Sequence, residues 1–205
     1  MFFKVFEEIL GNVWPMLIII CVIAISCRIA YISIHHKKIV LYREILMLVS
    51  LVYLLCLYYV VTFQDVNYGG INLVPFKEMF RYDINSRLFL KNVLGNIILF
   101  IPYGLFVSYY LKCKKVYWPI LLTGIASTTI ELVQYKIGRV FDIDDIILNI
   151  FGGIVGFLLF IGLDAIKNRM PSFMKHEWFL NLIIIVIIIL VIIYGFKIDI
   201  VGLWN

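Results

Sequence analysis

Long, unbroken blocks of apolar residues dominate the chain, and charged residues fall mainly between them. A transmembrane strand alternates apolar and polar positions, whereas a helix needs about 20 mainly apolar residues to cross a bilayer. Continuous blocks such as residues 182–193 therefore predict helices, which satisfy their own backbone groups in hydrocarbon. We predict an all-α fold, a polytopic membrane bundle of about six transmembrane helices. The predicted spans are Val13–Ile34, Ile45–Phe63, Val93–Leu111, Val116–Tyr135, Ile146–Ile166 and Phe179–Phe196.

Composition agrees with a protein of the lipid membrane. Hydrophobic residues make up 63% of the chain, whereas a soluble domain is about half apolar. None of the four cysteines is paired at metal-site spacing, and we expect them to be small core residues. The net charge of +5 lies mainly in the connections. We interpret it as a topology signal and expect no nucleic-acid partner.

Basic residues set the expected orientation. The total numbers of lysines and arginines on the two sides are nearly equal, so we base the orientation on how densely basic residues occur in each connection. The densest run, Lys112, Lys114 and Lys115, fills the short connection after the third span. Cytoplasmic loops are enriched in such residues, so we predict that this side is inside and that both termini are outside.

The second connection carries the first group of polar residues beside a span. Asn72 precedes Pro75 and Phe76, and proline suits the first turn of a helix. Phe76, Met79 and Phe80 share one apolar face, which indicates a short interfacial helix on the outer surface. An ordinary solvated loop fits this segment equally well.

The third span begins with a second polar group. Asn92 and Asn96 are four residues apart and share a helix face. Such a pair can hydrogen-bond a neighbouring helix, and we favour this structural role. Pro102 frees a backbone carbonyl, so a kink is expected there.

The most informative polar residues surround the connection between spans four and five. Glu131 and Gln134 are three apart on one face near the end of span four. A helix that begins near Asp142 aligns it with Asp145 and Asn149. The same stripe continues into three glycines, which favour close helix packing. These glycines are Gly152, Gly153 and Gly156.

Three acids within four residues repel one another unless a positive charge is close. Arg139 is the nearest candidate, and a divalent cation held by Asp142 and Asp144 is the alternative. Capping of a helix N-terminus can explain Asp142 but not Glu131. We therefore predict a functional polar pocket formed by Glu131, Gln134, Arg139, Asp142, Asp144, Asp145 and Asn149.

The order of these motifs resembles the VanZ-like membrane proteins. The similar segments are residues 72–76, 92–104 (NVLGNIILFIPYG), 131–134, Arg139 and 141–156 (FDIDDIILNIFGGIVG). The resemblance covers about residues 72–166. It implies a bacterial cell envelope and a link to glycopeptide and above all teicoplanin resistance. The residues that match the family's polar motif are Glu131, Gln134, Arg139, Asp142, Asp145 and Asn149. We accordingly divide the chain into two N-terminal spans (1–71), a VanZ-like core (72–166) and a C-terminal span with its tail (167–205).

Three functions remain open. The first is a binding protein whose outer pocket takes a lipid-linked envelope precursor or a glycopeptide-related ligand. The second is an enzyme on lipid head groups, with Glu131 or Asp145 as general base and Arg139 on phosphate. The third is a flippase or transporter. No complete catalytic motif and no clear inverted repeat decides among them.

Overall fold

The structure is a computed structural model, which describes residues 2–62, 70–77, 79–81, 86 and 89–195. Helices account for most of this part of the chain, and this confirms the all-α fold class. The helices are α1 (Phe2–Ile34), α2 (Leu41–Thr62), α3 (Gly95–Leu111), α4 (Tyr117–Lys136), α5 (Ile143–Arg169), α6 (Ser172–Lys175) and α7 (Glu177–Gly195). A π-helical turn, Leu90–Leu94, precedes α3. The predicted span ends at Phe63 and Phe196 lie outside the described residues.

Four described helices are long and apolar enough to cross a bilayer, in agreement with a membrane protein. They comprise Gly11–Ile34, Leu41–Thr62, Asn92–Leu111 and Ile143–Arg169. A shorter apolar helix covers Glu177–Val191. Helix α4 has 20 residues but is less apolar, because its buried face carries polar side chains. These side chains are Thr123, Ser127, Glu131 and Gln134. The spans beyond these four stay a prediction.

The chain forms two compact units. The first comprises Met1–Val13 and Tyr53–Ile166, and the second comprises Trp14–Val52 and Lys167–Asn205. The sequence-based boundaries after residues 71 and 166 remain a prediction. All of the predicted pocket residues belong to the first unit.

The core of the first unit joins the second half of α2 to α3 and α4. Leu57, Val61 and Phe100 are buried together, and Tyr103 is among the side chains that pack against them. The hydroxyl group of Tyr53 donates a hydrogen bond of 2.8 Å to the carbonyl oxygen of Leu99. Tyr53 is partly buried, and a tyrosine hydroxyl group shielded from solvent usually has such a partner. This contact fixes α2 beside α3.

Glycines permit a close approach of α5 to α3. A Cβ atom added at Gly104 of α3 would collide with the backbone of Gly153. One added at Gly152 or Gly156 would collide with the backbone of α3, at Ile97 and Ile101 respectively. Backbones can approach this closely in a membrane only where side chains are very small. The structure thus places the predicted glycine stripe within helix interfaces.

In the second unit, two ion pairs join helices near their ends. Arg28 of α1 binds Glu44 of α2 through two hydrogen bonds of 2.8 and 2.9 Å. Arg43 binds Glu177, the first residue of α7, at 2.9 Å. The two parallel hydrogen bonds between Arg28 and Glu44 are a stronger geometry than the single contact between Arg43 and Glu177. The side chains of Arg28 and Glu44 are also partly shielded from solvent.

The orientation of the chain is testable by thiol labelling. A cysteine at the exposed position Lys77 should react with an impermeant reagent in intact cells, whereas one at Ser172 should not. The reason is the charge density, which predicts that the connection containing Ser172 is cytoplasmic. The four native cysteines are replaced first, since Cys27 is exposed. Labelling at Ser172 with protection at Lys77 would reverse the predicted topology.

Candidate functional site

A very short parallel sheet brings the second connection to the start of α5. Strand β1 (Ile71–Asn72) pairs with β2 (Phe141–Asp142), so that Asn72 lies opposite Asp142. The side-chain amide of Asn72 donates a hydrogen bond of 2.9 Å to Asp142 Oδ1. The same oxygen accepts the backbone N–H of Asp144 at 2.9 Å, as expected for a helix N-cap. Asp142 therefore caps the N-terminus of α5, which begins at Ile143, and also binds the second connection.

Asp144 holds the segment that follows β1. Its carboxylate is almost fully buried, with 1% exposure, and accepts hydrogen bonds from the backbone N–H groups of Phe76 and Met79. Phe76 has a φ of 67°, which a continuous helix does not allow. The predicted interfacial helix is therefore replaced by a turn at 75–77, which includes Pro75, and a 3₁₀ turn at Met79–Arg81.

Glu131 and Asp145 each use one carboxylate oxygen in a hydrogen bond. Glu131 Oε2 accepts the backbone N–H of Asp142 at 2.9 Å, and Glu131 is only 2% exposed. Asp145 Oδ1 accepts the side-chain amide of Asn96 on α3. The second oxygen of each carboxylate receives no hydrogen bond from the part of the chain that the structure describes. These two acids therefore keep unused hydrogen-bonding capacity.

The side chains of Gln134 and Arg139 cap the C-terminal end of α2. Both donate to the carbonyl oxygen of Val61, Gln134 Nε2 at 3.1 Å and Arg139 Nη1 at 3.0 Å. The last carbonyls of a helix lack partners within the helix, and a positive charge there is favourable. This contact links α2 to the connection between α4 and α5.

A polar seam continues from the site along the interface of α4 and α5. The side-chain amide of Asn149 donates a hydrogen bond of 2.8 Å to Ser127 Oγ. Asn149 Oδ1 and the Thr123 hydroxyl group, one turn further along α4, are buried without a partner among the described residues. Buried polar atoms normally have partners, so both atoms are suited to an ordered water or a ligand.

The remaining predicted residues lie within or just before the third predicted span. Asn96 lies in α3, where its bond to Asp145 is the interhelical contact that its spacing predicted. Asn92 lies in the preceding π-helical turn and is partly exposed. Pro102 lies inside α3, which continues to Leu111. Asn96 thus connects the site to α3, whereas no described hydrogen bond joins Asn92 to it.

The site carries more acids than bases. Glu131, Asp142 and Asp144 all lie near enough to Asp145 to repel its negative charge, and Arg139 attracts it. Arg139 is not in a described ion pair. No cluster of three potential metal ligands occurs among the described residues, and the proposed metal ligands Asp142 and Asp144 are engaged in hydrogen bonds. The excess of carboxyl groups at the site can accept hydrogen bonds from a ligand.

Sequence reasoning did not identify Ser127 and Thr123 as neighbours of the site. Ser127 is four residues from both Thr123 and Glu131, and this spacing was the available signal, since such residues share a helix face. The role of the Val61 carbonyl left no signal, because any residue supplies a backbone carbonyl.

Comparison with known proteins supports the resemblance seen in the sequence. A family model described as VanZ/LLP1 matches residues 45–167, which is more than half of the chain. Neither the curated proteins nor the solved structures gave a match. The matched region includes most of α2, whose end is bound by Gln134 and Arg139, together with both strands, α3, α4 and nearly all of α5. This membrane protein belongs to the VanZ/LLP1 family.

Proposed function

We propose that this protein binds the polar part of an envelope lipid or lipid-linked precursor at the site between α4 and α5, and that it thereby confers tolerance to glycopeptides such as teicoplanin. The observation that carries the proposal is that Glu131 and Asp145, which are buried or partly buried, each have one carboxylate oxygen without a hydrogen bond from the described residues. Ionisable groups beside hydrocarbon are costly, and a ligand that completes their hydrogen bonds offsets this cost.

The hydrogen bonds of the site separate its residues into two groups. Asp142 and Asp144 bind backbone N–H groups, and Arg139 binds a backbone carbonyl, so these contacts hold the connections in place. Among the described residues, Glu131 accepts one backbone N–H group and Asp145 accepts one side-chain amide, so that each carboxylate has one hydrogen bond. A ligand is therefore expected to contact Glu131 and Asp145 first.

The surroundings of the site suit an amphipathic ligand. The segment fixed by Asp144 exposes apolar side chains, with Leu73 65% and Phe80 84% exposed. Outside a membrane span, a cluster of exposed apolar side chains is typical of a segment that touches the membrane interface. The acids would then lie at the depth of lipid head groups.

The chemistry of the ligand follows from the charges of the site. Carboxylates accept hydrogen bonds from hydroxyl, amide or ammonium groups, and the Arg139 guanidinium group can bind phosphate. Lipid-linked precursors carry hydroxyl, amide and phosphate groups together. This combination matches the site better than a purely apolar ligand.

Drug susceptibility tests the proposed role. Expression in a sensitive Gram-positive host should raise the inhibitory concentration of teicoplanin more than that of vancomycin, because teicoplanin tolerance is what the family resemblance implies. The control is an empty vector, with membrane abundance of the protein measured in parallel. Unchanged susceptibility at verified abundance would reject the resistance role.

An inventory of lipids and precursors in cells with and without the protein distinguishes the other two functions. An enzyme would change head-group composition, so that substrate accumulates when the protein is absent. A flippase would change the distribution of a lipid between the two leaflets. Binding alone predicts neither change.

A further inference from the structure

We propose that the second unit carries a binding surface for anionic phospholipids, formed where α2 and α7 begin. Two contacts join these helix starts. Arg43 Nη2 binds Glu177 Oε1 at 2.9 Å, and the Tyr42 backbone N–H donates a hydrogen bond of 3.0 Å to Asn181 Oδ1. The α1–α2 connection and the α6–α7 connection therefore lie at the same end of this unit.

The ion pairs of this unit leave an excess of positive charge. Its described acids, Glu44 and Glu177, are paired with Arg28 and Arg43. Five further cationic side chains are exposed and take part in no ion pair among the described residues. They are Lys37, Lys38, Lys167, Arg169 and Lys175.

A hydrogen bond holds one of these cationic side chains close to two others. Lys175 of α6 donates a hydrogen bond of 2.9 Å to the backbone carbonyl of Asn168, in the last turn of α5. Lys175 is thus held beside the turn that contains Lys167 and Arg169. The surface combines this group with the lysines of the α1–α2 connection.

Aromatic side chains place this surface at the depth of lipid head groups. Phe173 is 54% exposed and Trp178 is 59% exposed, and both rings pack edge-on against Phe179. Exposed aromatic rings at the end of an apolar helix are typical of the membrane interface. A soluble polyanion would complement the charge but not these rings, so the structure favours an anionic phospholipid.

The test compares two variants that lose the same charge in different places. The first replaces Lys37, Lys38 and Lys175 with glutamine. The control replaces Lys112, Lys114 and Lys115, which are also exposed but belong to the first unit. The full-length protein is titrated in detergent with phosphatidylglycerol or phosphatidylcholine, and the thermal shift is measured. Each cation near an anionic surface strengthens binding by about fivefold, so the first variant should bind phosphatidylglycerol on the order of 100-fold more weakly.

The control variant should keep most of the wild-type affinity, and phosphatidylcholine should not distinguish the three proteins. Equal losses in both variants would overturn the proposal, because net charge alone would then explain binding. Equal stabilisation by soluble glycerol phosphate would also overturn it, since a lipid would not be required. If the first variant does not fold, Lys37→Gln with Lys38→Gln should weaken binding by roughly 25-fold, with no change as the contrary result.

Discussion

Replacing Gly156 with leucine is expected to destabilise the folded protein strongly. The first added carbon atom would already collide with the backbone of α3 at Ile101, and leucine adds three more. Overpacking usually costs about 1–3 kcal/mol where side chains can move, and here the obstacle is backbone. A loss of about 3 kcal/mol lowers the melting temperature of a chain of this size by roughly 6–12 °C. Membrane abundance and melting in detergent measure the effect.

Gly162→Leu is the matched control on the same helix. A Cβ atom at Gly162 meets nothing within 4 Å, so the added side chain should face open surroundings. We expect abundance and melting temperature close to those of the wild type. Equal stability of the Gly156 and Gly162 variants would show that α3 and α5 do not pack through this glycine stripe.

Helical periodicity explains how much of this architecture the sequence could predict. Glycines at 152, 153 and 156 share a face on any helix that includes them, so a stripe was visible before the partner helix was known. The same rule aligned Asn96 with a neighbouring helix. The partner itself, Asp145, is 49 residues away, and a local pattern does not specify such a distant contact.

The contacts of the second connection were harder to predict for a similar reason. Asp144 binds the backbone N–H groups of Phe76 and Met79, which lie 68 and 65 residues earlier. Strands β1 and β2 have two residues each, too few for an alternating pattern. The acids around α5 were therefore recognisable as a group in the sequence. Only the three-dimensional structure shows which of their carboxylates hold backbone N–H groups and which keep an oxygen for a ligand.

Neutral variants of the two available acids should lose function while the fold survives. Glu131→Gln keeps an oxygen for the Asp142 backbone N–H, and Asp145→Asn keeps one for Asn96. Each variant loses the charge that a ligand would meet. Hydrogen bonds to charged groups contribute about 1.5–3 kcal/mol, so ligand affinity should fall by roughly 10- to 150-fold.

Arg139→Lys tests the basic side of the same site. Lysine can still donate to the Val61 carbonyl but has no planar fork for two parallel bonds to phosphate. Function should therefore fall while α2 stays capped and the protein folds. Wild-type function in this variant would exclude bidentate binding by Arg139.

Asp144→Asn is the control for these variants, because we expect it to lose stability rather than only ligand binding. Its carboxylate accepts two backbone N–H groups with its two oxygens, and asparagine has only one oxygen to offer. The buried N–H group left unpaired should cost about 1–3 kcal/mol of stability, so this variant should fail by losing folded protein. Complementation of a deletion strain, with membrane abundance and detergent melting measured together, separates the two kinds of failure. If the Glu131, Asp145 and Arg139 variants lose folded protein as Asp144→Asn does, the whole cluster is structural. Full complementation by all three would instead show that no ligand depends on the charges of Glu131 and Asp145 or on the planar guanidinium group of Arg139.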